Sequence, residues 1–204
     1  GKIVVDWRDL GAQMISLSAH KLGGPHGVGA LIVDDTWLGR PLLKGGGQER
    51  GRRAGTENIA GIVGFGVAAD LVQKNFASMA GVAALRNILE RGLRAIDPAI
   101  AIHGDGVERL PNTVCVSMPG VDSETQVMSL DLAGVMVSAG SACSSGKVTT
   151  SHVLKAMGLD DAIASSAIRI SLGWHSTSDD VEKCLTAWRD LYLRTRSPQA
   201  TAAA

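Results

Sequence analysis

Glycine is the residue that most constrains this chain. It fills 25 of 204 positions, well above the usual share of about 7%, and falls in short groups such as Gly23-Gly24 and Gly45-Gly46-Gly47. There is no collagen-like or linker-like period, so the groups imply tight turns and close approach of backbone to a ligand. The apolar runs between them are brief, far below the roughly 20 residues of a membrane-spanning helix. With 45% apolar and 20% charged residues, the chain can bury a core as one large domain or two small ones, and disorder is excluded as its main state. Twenty Lys+Arg balance twenty Asp+Glu, which gives no electrostatic ground to expect a nucleic-acid or acidic-membrane partner.

The three cysteines, Cys115, Cys143 and Cys184, contain no C-x-x-C pair. Neither a disulfide framework nor a Cys-rich zinc site is indicated, and a reducing cytoplasm is the expected setting. His103, His152 and His175 are scattered without the spacing of a metal cage. The sequence opens on Gly1 and runs straight into Lys2-Ile3-Val4-Val5, without Met or leader, so a fragment of a longer chain is expected.

Short apolar runs at Ile3 to Val5, Met14 to Leu17 and Val28 to Val33 read as strands of a buried α/β sheet. Residues 39 to 56, rich in Gly and Arg, read as a surface loop. From Asn58 to about Leu93 apolar residues recur at helical spacing, as one long helix or two abutting ones. Near Asp97-Pro98 an α+β region begins. Its strand signals lie at Ala99 to His103, Thr113 to Ser117, Val135 to Val137 and Ala167 to Leu172, with helices at Ser123 to Leu132, Ser151 to Met157 and Ser178 to Leu193. The expected division is residues 1–80, residues 81–196 and a frayed tail over 197–204.

Four constellations could carry chemistry. In Ser16-Leu17-Ser18-Ala19-His20-Lys21-Leu22-Gly23-Gly24-Pro25, Lys21 follows a strand and precedes a Gly-rich turn. It is either an exposed turn lysine or a Schiff-base lysine with an anion held nearby. In Gly45 to Thr56, clustered glycines, arginines and Thr56 form either a solvated basic loop or a phosphate cradle at a helix start; neither the Walker nor the dinucleotide spacing is present. In Ser138 to Gly146, Cys143 stands alone among small residues, either a packed thiol or a nucleophile on a mobile loop. In Ile168-Arg169-Ile170-Ser171-Leu172-Gly173, Arg169 interrupts an apolar strand, which implies a structural ion pair or a bound carboxylate.

Together and in this order, SAHKLGGPHGVGALIV, GGGQERGRRAGT, SAGSACSSG and IRISLG resemble the cysteine desulfurases of the NifS/IscS type. These are pyridoxal-phosphate (PLP) enzymes of the class-V aminotransferase family, fold type I. The likeness runs from Gly1 to about Trp188. It implies an α/β fold: the C-terminal part of a fold-type-I large domain, then a smaller α+β domain. It also implies Lys21 as the Schiff-base lysine, Ser18, His20 and Thr56 as phosphate contacts (Thr56 across a homodimer interface), Arg169 as the substrate-carboxylate residue and Cys143 as the nucleophile. His20 then stands among the catalytic residues with Lys21 and Cys143. The implied reaction converts L-cysteine to L-alanine with a persulfide left on Cys143, for delivery to a sulfur acceptor such as an iron–sulfur scaffold. No resident metal is implied, although Cys143 could meet an iron–sulfur cluster through its persulfide. Selenocysteine lyase, cysteine-sulfinate desulfinase and an inactive fragment serving in dimerisation or docking are the competing expectations. His26 stands where many relatives carry Lys. The segment that in relatives supplies the Asp and Gln against the cofactor ring is expected just before Gly1.

Overall fold

The computed structural model describes residues 1–34, 36, 39–140 and 150–196. The chain divides into two compact units, Gly1–Ala77 and Ser78–Ala204.

The first unit starts with a one-turn helix, α1 (Trp7–Leu10), capped by Asp6, whose side chain accepts from Arg8 N, and closed by Gly11. Strands β1 (Met14–Ser18) and β2 (Gly29–Val33) form an antiparallel pair in register from Met14 opposite Val33 to Ser18 opposite Gly29. Only glycine fits at position 29, because a Cβ there would stand 2.5 Å from the Leu17 carbonyl oxygen. Between the strands lies a 3₁₀ turn, Ala19–Leu22, whose Ala19 is fully buried. Helix α2 (Ile59–Asn75) is capped by Asn58, which accepts from Gly61 N at 3.1 Å. It packs on the 19–22 turn and meets Pro25 at Gly64, where a Cβ would come within 2.6 Å of the proline ring.

Two expectations are corrected here. The run Ile3 to Val5 is not a strand, and Val4 is 75% exposed. The buried sheet is instead a two-stranded ribbon with apolar side chains on open faces, Leu31 being 59% exposed. Its β-branched, nearly continuous apolar composition suits a strand covered on both faces, and two strands cannot supply that cover for each other.

The second unit is built on α3 (Met79–Ile96), β3 (Ala101–Ile102), β4 (Thr113–Ser117), α4 (Ser123–Leu132), β5 (Ser138–Ala139), α5 (His152–Ala156), α6 (Asp161–Ser165), β6 (Ala167–Ser171) and α7 (Ser178–Arg196). The sheet runs β3-β4-β6-β5 with every pair antiparallel. Strict alternation gives it two unlike faces. Val114, Val116, Ile168 and Ile170 belong to one core with Leu89 and Leu93 of α3, Leu130 of α4 and Trp188 of α7. Helices α3 and α7 pack closely at Gly92, where any Cβ would collide with Leu185. On the other face Cys115 and Ala167 join Leu154 of α5 and Ala164 of α6 in a small second cluster. Glu90, nearly buried on α3, is gripped by Arg109 through contacts of 2.7 and 2.9 Å, tying that helix to the segment leading into β4. Cys143 and the tail over 197–204 lie outside the described residues.

Candidate active site

The two units each present part of the expected constellation. In the first, Ser18 ends β1 half-buried, and the turn that follows carries His20 and Lys21 to the surface. The turn is fixed by Gly24 N donating to the Ala19 carbonyl at 2.9 Å, by Gly23 in the left-handed region and by the buried Ala19 methyl. His20 stacks on His26 with ring centroids 5.1 Å apart. The sequence gives no sign of this stacking, since a six-residue separation across Gly-Gly-Pro carries no periodic signal.

The loop before α2 is strained and self-braced. Glu49 and Arg50 both hold positive φ, 52° and 57°, a conformation that costs non-glycine residues about 1–3 kcal/mol each. Arg53 spends its guanidinium on the loop itself, donating to the carbonyls of Ala54 and Gly55 at 3.1 and 3.2 Å and lying 3.7 Å from Glu49. It is a brace. Thr56 is exposed just ahead of the α2 cap. A phosphate-bearing group fits these residues chemically: Ser18 and Thr56 carry hydroxyls with no protein hydrogen bond among the described residues, and Ser18 leads directly into the turn that bears the His20 imidazole and the Lys21 amine.

In the second unit, β-pairing aligns a row of four side chains on the face away from the main core. Arg169 of β6 stands opposite Cys115 of β4 on one side and Ser138 of β5 on the other. The ladder continues to His103, whose N donates to the Cys115 carbonyl at 2.8 Å. A cavity of about 310 Å³ opens over this row, within the range of a small-molecule site. It is lined by His103, Cys115 and Arg169, by Leu154 and Met157 from the α5 region, and by Gly140 and Ser151.

Arg169 is the one formally charged side chain lining this cavity among the described residues, and no described carboxylate lies within ion-pair distance of it. Of the two sequence readings, the structural ion pair lacks its acid among the described residues. Burial pushes the Cys115 thiol above its ordinary value, with Arg169 pulling the other way. Burial also holds His103 below the usual imidazole range, opposed by Asp105. The cavity floor is thus one cation between neutral neighbours, which favours a ligand with a single carboxylate.

Cys115, with no C-x-x-C partner, and His103, without metal-cage spacing, carry no site signal of the kinds sought in the sequence. Both line the cavity, and the signal that could have found them is the alternation Thr113-Val114-Cys115-Val116-Ser117, which sets Cys115 apart from the apolar face. Gly140 and Ser151 bound the stretch that contains Cys143.

Residues 1–184 match the class-V aminotransferase family. The chain is 45% identical to a cysteine desulfurase of Cereibacter sphaeroides over 91% of its own length and 47% of that protein's. It is 42% identical to the cysteine desulfurase IscS of Clostridium botulinum, with 91% and 47% covered. Among solved structures, a NifS-like protein from Rickettsia africae superposes with a TM-score of 0.82 at 35% identity, covering 94% of this chain and 50% of that one. The chain spans about half the length of the relatives it matches. Family match and superposition agree: the chain belongs to the class-V aminotransferase family and has the mixed α/β architecture of the NifS-like, PLP-dependent fold-type-I proteins.

Proposed function

We propose that the chain serves in PLP-dependent removal of sulfur from L-cysteine. The single observation that carries this reading is Arg169, a guanidinium without an acid partner among the described residues, in a cavity bounded by residues on both sides of the Cys143 stretch. Lys21 would hold the cofactor aldehyde, with Ser18 and His20 on its phosphate and Thr56 on the phosphate of a partner copy's cofactor. When bound, PLP supplies an electron sink that acidifies the substrate α-carbon. The work of this chain's residues follows from their chemistry. Arg169 pairs with the substrate carboxylate and fixes its orientation. The Lys21 amine, once free, takes the α-proton. The Cys143 thiolate attacks the substrate sulfur, so that the substrate Cβ–S bond breaks while an S–S bond forms on Cys143. The carbon skeleton gains a proton and leaves as alanine. Cysteine plus thiol thus becomes alanine plus persulfide, with no external oxidant.

The persulfide sulfur would pass to an acceptor, such as an iron–sulfur scaffold protein. A cytoplasmic homodimer, with Thr56 acting on a partner's cofactor, belongs to the same proposal; among the described residues no helix is long and apolar enough to cross a membrane. Selenocysteine lyase and cysteine-sulfinate desulfinase share the Arg169 and Lys21 roles but release their leaving group without Cys143. An inactive docking or dimerisation piece is the rival of another class, favoured by the open apolar faces of β1 and β2.

The test is alanine release from L-cysteine by the 204-residue chain with PLP and a thiol reductant, beside Cys143→Ala. Alanine from the parent and none from the variant supports the desulfurase. Alanine from both points to the Cys143-independent lyases. Silence from both, with no PLP absorbance, leaves the docking role.

A further inference from the structure

Within the proposed reaction, the cavity in the second unit holds a polar group that the roles above do not use. His103 lies two strands from Arg169 on the same row. At a strand spacing of about 4.8 Å the two backbones are about 10 Å apart, and both side chains reach into the same space of about 310 Å³. The imidazole is anchored. Its Nε2 is 2.6 Å from Ser117 Oγ, and that hydroxyl donates to the Ile163 carbonyl at 2.8 Å. Ser117 is fully buried, so water does not compete for it. With the serine proton committed to Ile163, Nε2 is the donor in the His103–Ser117 bond, and the neutral ring is left with an unprotonated Nδ1.

We propose that His103 is a specificity residue: its Nδ1 accepts a hydrogen bond from the side-chain thiol of an amino acid whose carboxylate is held by Arg169. The assignment rests on the function proposed above; the ammonium is common to L-cysteine and L-alanine, and the thiol is the donor that L-cysteine alone carries. Cys115 lies on the row between the two anchors. Burial keeps it a neutral thiol, so it neither repels a carboxylate at Arg169 nor competes as an anion for that residue. Burial likewise keeps His103 neutral, and a protonated ring would have no lone pair to offer. The structure thus supplies one charged anchor and one neutral acceptor, a pairing that distinguishes cysteine from alanine of the same charge.

The test uses the 204-residue chain without cofactor, so that no turnover occurs. Side-chain ¹⁵N resonances of His103 and Arg169, assigned through His103→Gln and Arg169→Gln, are followed as L-cysteine or L-alanine is added. The expected result is that both ligands move the Arg169 resonances, whereas only L-cysteine moves His103 Nδ1 in the direction of hydrogen-bond acceptance. L-cysteine should bind about three- to tenfold more tightly than L-alanine, as one hydrogen bond allows, and His103→Gln should abolish that preference while leaving alanine affinity unchanged. A purely structural role would leave the preference intact. If Arg169 responds to both ligands while Nδ1 stays still, the role of His103 is overturned and the carboxylate site survives. If neither residue responds, the substrate site falls and the role of His103 with it.

Discussion

Raising the pH across the alkaline range should destabilise the second unit through one buried thiol. Cys184 sits on α7 within the main core, 5% exposed, beside Val181 and Trp188, and burial pushes its pKa from an ordinary 9.0 up to about 11. In the unfolded chain the thiol ionises near its ordinary value. The unfolded state therefore releases its proton first, and stability falls as pH rises. The contribution is fully present below about pH 9 and is lost between there and about pH 11. At about 1.4 kcal/mol for each pH unit, the loss amounts to roughly 2–3 kcal/mol. The assay is urea unfolding followed by tryptophan fluorescence at a series of pH values, for the parent and for Cys184→Ala. Every other ionisable group is common to both proteins and cancels in the difference, and the cavity left by the missing sulfur adds a pH-independent offset. The stability difference between parent and variant should be constant up to about pH 9 and then shrink by that amount. A difference that stays flat to pH 11 would falsify the burial argument.

Arg109→Ala should cost about 3–5 kcal/mol, because it strands the nearly buried Glu90 carboxylate without its principal cation. Denaturant midpoints of that variant, compared with Arg109→Ala/Glu90→Leu, check the cause, since the double change should recover much of the loss. Arg169→Gln should weaken L-cysteine binding by roughly 10- to 100-fold, the worth of one charge-assisted hydrogen bond, and leave the thermal midpoint of the second unit within a few degrees. An unchanged affinity would remove Arg169 from the site.

Local pattern was enough for the long elements. The helical spacing from Asn58 to Leu93 corresponds to α2 and α3, and the alternation in 113–117 and 167–171 corresponds to β4 and β6. The five-residue α6 escaped because one turn and a half carries almost no periodicity; its start is set by the Asp160 side chain accepting from Ile163 N at 2.8 Å. The row His103-Cys115-Arg169-Ser138 was invisible for a different reason. Its members are 12, 54 and 31 residues apart in sequence, and only the register of three strand pairs aligns them. Arg169 itself is legible as an anomaly in an apolar strand, but that no carboxylate neighbours it among the described residues is visible only in the fold. The Ile3 to Val5 run misled outright, and Val28 to Val33, which does form β2, misled only as to cover, because their composition describes strands inside a covered sheet while these residues lie uncovered.

That mismatch separates the two units thermodynamically. The second has fully or nearly fully buried Leu89, Leu93, Val114, Val116, Leu130, Ile168 and Trp188, whereas in the first the only buried hydrophobic side chains among the described residues are Ala19 and Ala68. At about 25 cal/mol per Å² of apolar surface removed from water, two alanine methyls contribute little against an ordering cost of about 1–2 kcal/mol for each residue's backbone. The residues proposed to hold the cofactor, Lys21 and Thr56, therefore stand on the unit with the weaker core, while Arg169 stands on the stronger. Amide hydrogen exchange should show this directly. Amides of β4 and β6 should exchange only through global opening of their unit, and those of β1 and β2 should exchange orders of magnitude faster. Addition of a polypeptide equivalent to the half of the NifS-like relatives that this chain does not match should slow β1 and β2 selectively. Equal protection of the two sheets in the chain alone would mean that β1 and β2 are stabilised without a cover, and that the exposed apolar faces of the ribbon do not limit the cofactor site.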